Sequence, residues 1–219
     1  MIVSPKGNTN MSRYEYTDIT NPNPSRHTEF STKTKGIQET LNLALSRYKR
    51  LSVLLIELVI PPDCNPYCND DGESLMHALM DTLQQSINDF ADGFHEEGQL
   101  HGVWELEKME KVDVYALALM VSLDWMRSHS ESHQRLNHQI QKHWQQVLSL
   151  SPTHDYHDAP FLMVAPKQDE LVIDQVQSFL IAQKQVNMAY KRILNHLSLD
   201  RPTAAQSPLG SVISPPLLM

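Results

Sequence analysis

HGVWELEKMEKVDVYALALMV, residues 101–121, consists of two apolar runs joined by the short charged link Lys108-Met109-Glu110-Lys111. A link of this length predicts an antiparallel hairpin with strands at 101–107 and 112–121. In a strand, residues i and i+2 share a face, so Glu105 goes with Glu107 and Asp113 with Tyr115. If these two pairs face each other, the hairpin carries a cluster of polar groups whose carboxylates have the hard-oxygen chemistry that suits a divalent cation. The plainer alternative is a solvent-facing strand edge.

Upstream, LSVLLIELVI at 51–60 is apolar, rich in strand-formers and stopped by Pro61-Pro62, which predicts a buried strand. Downstream, FLMVA at 161–165 lies between prolines and predicts another. Helical spacing connects these strands. Ile37, Leu41, Ala44, Leu45 and Tyr48 form a first helix that ends in the basic run Arg47 to Arg50. Leu75, Leu79, Leu83, Ile87 and Phe90 form a second. Leu136, Ile140, Trp144, Val147 and Leu148 form a third, and Val176, Phe179, Leu180, Val186, Tyr190, Ile193 and Leu194 a last one over 173–197. The inner β-α-β-β-α-β order predicts an α+β fold, a ferredoxin-like or RRM-like antiparallel sheet with helices on one face.

Residues 1–35 are rich in Ser, Thr, Asn and Pro and have no apolar period. Residues 201–219 carry Pro202, Pro208, Pro215 and Pro216. Both are expected to be disordered tails, which leaves one domain over 36–200. No run of 18 or more uncharged apolar residues occurs, and the start of the sequence lacks the apolar segment of a secretory signal, so the expected location is cytoplasmic, with no membrane partner. Cys64 and Cys68 provide half of a zinc site at most and are read as free thiols. GxGxxG, GxxxxGK[ST] and GxSxG patterns are absent, and His129-Ser-Glu-Ser-His133 misplaces the glutamate of an HExxH site.

The net charge of −8 is unevenly distributed. Fourteen acidic residues between Glu57 and Asp113 stand against Lys108 and Lys111 alone, whereas Arg47, Lys49 and Arg50 cluster at the end of the first helix. Those three are the candidate contacts to a phosphate backbone; an ordinary solvated helix end is the alternative.

Taken together, ALSRYKRLSVLLIELVIPP, GVWELEKMEKVDVYALALMVSLDW, IQKHWQQVL, FLMVAP and MAYKRILNHLSLD resemble, in order and spacing over 36–200, the YagK/YfjJ C-terminal domain family of inovirus replication initiators, which are related to HUH endonucleases. Ser46, Arg47 and Tyr48 match the basic segment, Trp104 and Glu107 a Trp-x-x-Glu element, Trp144 a helix tryptophan and Tyr190 a last-helix tyrosine. The resemblance implies a prophage or mobile-element protein that binds single-stranded or hairpin origin DNA together with phage or host replication proteins. It also implies a metal-assisted nicking mechanism in which Tyr190 attacks a phosphate. Where the family has a His-hydrophobe-His pair, this sequence has Asp113-Val114-Tyr115. Glu107 and Asp113 are then the remaining ligands for magnesium or manganese, and Tyr115 is a poor substitute for an imidazole. The expectation is a DNA-binding protein with an impaired HUH site that requires no cofactor. The alternative is an interaction or regulatory module that kept the fold without DNA binding.

Overall fold

The computed structural model describes residues 27–60, 73–91, 99–108, 113–127, 132–148, 162–164, 170–197 and 209–213. Along the chain lie α1 (His27–Arg47), β1 (Arg50–Ile60), α2 (Glu73–Ala91), β2 (His101–Lys108), β3 (Asp113–Ser122), α3 (Leu123–Arg127), α4 (Ser132–Val147), β4 (Leu162–Val164), β5 (Leu171–Asp174), α5 (Phe179–His196) and β6 (Leu209–Ile213). The six strands form one sheet in the order β4-β1-β3-β2-β6, and β5 joins β4 on the same edge of β1. Every pairing is antiparallel. The expected split β-α-β arrangement is present, with β3 between β1 and β2, and the fold is α+β.

Helices cover both faces of this sheet, not one. α1 and α5 lie on one side, where Ile37, Leu41, Val186 and Ile193 pack over Val53, Leu55, Val103, Ala118 and Met120. α2 and α4 lie on the other, where Met76, Leu79, Leu83, Ile140 and Trp144 pack over Leu54, Ile56, Trp104, Leu117 and Leu119. The cause can be read from β3, which is buried at every position from Val114 to Ser122. A strand without polar alternation has no side to give to water, and burying only one face would leave the other half of its apolar surface wet. Gly102 sets the close approach of α2, since a Cβ there would lie 3.0 Å from Cε of Met80.

Besides the short α3, which was not expected, the elements differ from the sequence expectation in four places. α1 begins at His27, inside the stretch expected to be a disordered arm. Residues 171–174, of which 173 and 174 were expected to open the last helix, form β5 against β1. α5 therefore starts later, and Val176, Phe179 and Leu180 are exposed while Ala182, Val186, Ala189, Tyr190, Ile193 and Leu194 make its buried face. Residues 209–213, within the expected disordered tail, pair with β2. Cys64 and Cys68 lie outside the described residues. Among the described residues no helix is long and apolar enough to cross a membrane.

Candidate functional site

The register of the hairpin places each candidate ligand. Glu107 pairs with Val114 and Lys108 with Asp113. Directly opposed residues of an antiparallel pair share a face, so Glu107 lies on the α1/α5 side of the sheet and Asp113 on the α2/α4 side. The expected cluster of Glu105, Glu107, Asp113 and Tyr115 is split in two by the sheet itself. Among the described residues no group of three His, Cys, Asp or Glu side chains is close enough to hold a metal ion.

Tyr115, which the resemblance sets in place of a histidine, is buried under α4. Its ring meets that of Trp144 edge to face, with centroids 5.9 Å apart and planes at 83°. The indole N–H of Trp144 donates to the Val59 carbonyl of β1 at 3.0 Å. This position is therefore packed by aromatic rings and closed to solvent. A second polar link joins the helices on this side: Ser86 Oγ lies 2.7 Å from His143 Nε2, and His143 Nδ1 lies 2.9 Å from Gln146 Oε1. An amide oxygen only accepts, so Nδ1 carries the proton and the Ser86 hydroxyl donates to Nε2. Ser86 sits mid-helix, where backbone N–H groups are spent on the helix and cannot cradle an oxyanion. The relay fastens α4 to α2.

Tyr190 lies on the opposite side of the sheet from Asp113 and Tyr115. It is buried in the α1/α5 core, and its phenol oxygen accepts from Gln38 Nε2 at 3.3 Å. The sheet separates the candidate nucleophile from Asp113, and the structure does not bring Tyr190, Glu107 and Asp113 together.

The basic residues sit at the end of the sheet where α1 turns into β1. Arg47 and Lys49 are exposed. Arg50 is half-buried and its Nη2 is paired with Asp124 Oδ1 of α3 at 3.0 Å, so its charge is already matched. Tyr48, between them, points inward and donates its hydroxyl to the Gln99 carbonyl at 2.7 Å, fixing the entry to β2. Gln175 closes the turn from the other side: its N–H donates to the Lys49 carbonyl at 2.9 Å, and its side-chain amide to the Leu45 and Tyr48 carbonyls, each at 2.7 Å. Arg47 and Lys49 thus stand on a rigid corner.

Sequence reading did not single out His101, which lies beneath that corner. It is completely buried, meets the Tyr48 ring edge-on at 6.3 Å, and neither ring nitrogen has a hydrogen-bond partner among the described residues. Burial, helped by the charge of Arg47, pushes its pKa down from 6.5 to about 4. The signal in the sequence was weak, a histidine opening an apolar strand.

The model of the YagK/YfjJ C-terminal domain matches residues 15–200. The chain belongs to that family. The match starts ahead of the boundary expected at residue 36, in keeping with an α1 that already begins at His27. No curated protein and no solved structure matches the chain. As a YagK/YfjJ-type domain it keeps Trp104, Tyr115 and Trp144 as core and exposes Arg47 and Lys49 at the α1–β1 corner.

Proposed function

We propose that this chain is a DNA-binding protein of a prophage or other mobile element, related to replication initiators, that binds without cutting. The observation that carries the reading is the pair of exposed cations, Arg47 and Lys49, held on the braced corner between α1 and β1. Phosphate oxygens of single-stranded or hairpin origin DNA accept from these two side chains, and Arg50 with Asp124 positions the corner rather than touching DNA. Both faces of the sheet are occupied by helices, so contact is made at the end of the sheet. Phage or host replication proteins are the expected company, in the cytoplasm of the host cell.

Nicking through Tyr190 does not fit this architecture. A magnesium or manganese ion needs ligands on one side of the sheet, and Glu107 and Asp113 lie on two, so no step through a metal follows and none is required for binding. Supercoiled and single-stranded DNA incubated with the wild-type protein and either metal is expected to stay intact. Nicked product that disappears in Tyr190→Phe would overturn this.

The binding itself is tested by salt titration. Each phosphate contact on single-stranded DNA contributes a slope of about −0.7 in log K against log salt, so Arg47→Ala with Lys49→Ala is expected to flatten the slope by about 1.4. A slope unaltered by the double substitution would remove the corner from the interface. The second reading, a protein-interaction module, is favoured by the exposed apolar start of α5. No binding to single-stranded or hairpin DNA at about 50 mM salt, where such contacts are strongest, would select it.

A further inference from the structure

Val176, Phe179, Leu180, Ile181 and Met188 are exposed large apolar side chains, Leu180 at 79% and Val176 at 69%. Four fall between residues 176 and 181, where α5 begins, and Met188 lies two turns beyond Ile181 on the same side of the helix. Lys184 and Lys191, also exposed, share that stripe by helical spacing. α5 has no aspartate or glutamate anywhere along its length. The carboxylate just ahead of it, Asp174, is engaged by the Val176 N–H at 3.0 Å and the Gln177 amide at 3.5 Å. The turn is fastened to the α1–β1 corner through Gln175, so the patch stands next to the backbone of Lys49.

We propose that this outer face of α5 is a docking surface for an amphipathic segment of another protein, one whose apolar side is flanked by carboxylates. The pattern of aliphatic side chains beside lysines argues for that occupant over the others. Nucleic-acid bases stack on aromatic rings, and four of the five exposed side chains are aliphatic. A second copy of this chain packed face to face would set Lys184 and Lys191 against their own counterparts, a like-charge juxtaposition that opposes association. A bilayer would need the helix to sink its apolar side into the interface, but the rest of α5 is committed to the core through Ala182, Val186, Ala189, Tyr190, Ile193 and Leu194. A partner helix can instead lay leucines against Leu180, Ile181 and Met188 while its carboxylates meet the lysines.

The test uses the full chain and two designed helical peptides, one with leucine along one stripe and glutamate elsewhere, the other with lysine in place of every glutamate. The glutamate peptide is expected to bind at least about tenfold more tightly than the lysine peptide, with Leu180→Asp and Lys184→Glu each weakening it about tenfold or more. Leu180 is on the surface, so the variant should fold, which far-ultraviolet circular dichroism checks; Lys184→Glu gives an independent reading. Equal binding of the two peptides, binding of neither, or indifference to both substitutions would overturn the proposal. So would a dimer in sedimentation that Leu180→Asp dissociates, or a preference for oligothymidine or phosphatidylserine vesicles lost in the same variant. Neither substituted residue belongs to the Arg47–Lys49 corner, so the salt titration stands or falls separately.

Discussion

Trp144→Ala is expected to lower the free energy of unfolding by about 3–5 kcal/mol, the usual cost of truncating a large buried aromatic. The indole fills the space between α4 and the sheet, is 1% exposed, and gives its N–H to the Val59 carbonyl while its ring meets Tyr115. Alanine leaves a cavity, an unpaired ring edge and a carbonyl without its donor. For a chain of this size the melting temperature should fall by roughly 10 °C. Trp144→Phe keeps a ring in the cavity and loses chiefly the hydrogen bond, so it should cost distinctly less than the alanine variant. Urea unfolding followed by far-ultraviolet circular dichroism gives both values. A loss under about 1 kcal/mol in the alanine variant would mean that α4 is not seated on this residue.

Acidification should destabilise the protein through His101, and the direction follows from the pKa. In the folded chain the imidazole titrates at about 4, mainly because burial disfavours its charged form and secondarily because Arg47 repels a proton. In the unfolded chain it titrates near 6.5. Between those values the unfolded state binds more protons, so stability is intact above pH 6.5 and declines as pH falls toward 4, by a total on the order of 3 kcal/mol. His101→Phe retains a ring against Tyr48 and has nothing to protonate. Denaturation at pH 7, 5.5 and 4.5 should show the wild type losing stability more steeply than the variant. Parallel pH profiles for the two proteins would sink the assignment.

Much of the architecture was legible in the sequence because it rests on apolar runs. LSVLLIELVI and VDVYALALMV had the composition of buried strands, and the charged link between 107 and 112 pointed to a hairpin. Those same runs also carried the evidence that both faces are covered, since neither alternates, but one-sided coverage was the expectation for an antiparallel sheet. The candidate site was legible as a set of residues and not as a geometry. Which face Glu107 shares with the next strand depends on the parity of the hairpin register, and a shift of one residue moves a side chain to the other side of the sheet. The start of α5 misled for a related reason. Val176, Phe179 and Leu180 fit a helical apolar period, but β5 takes residues 171–174, and the side chains just after it are left outside the core. Leu209 to Ile213 has no strand-like run to announce it; the open edge of β2 recruits it.

That recruitment has an implication for biosynthesis. The edge of β2 is paired by residues made roughly a hundred positions later, a contact of long sequence separation. While the ribosome works through that interval, the β2 ladder from His101 to Glu105 offers bare amides and carbonyls to any other strand nearby, the condition under which nascent sheets join edge to edge. β6 then takes over as the edge of the sheet, five residues long where β2 has eight, and a shorter edge offers less to a neighbouring strand.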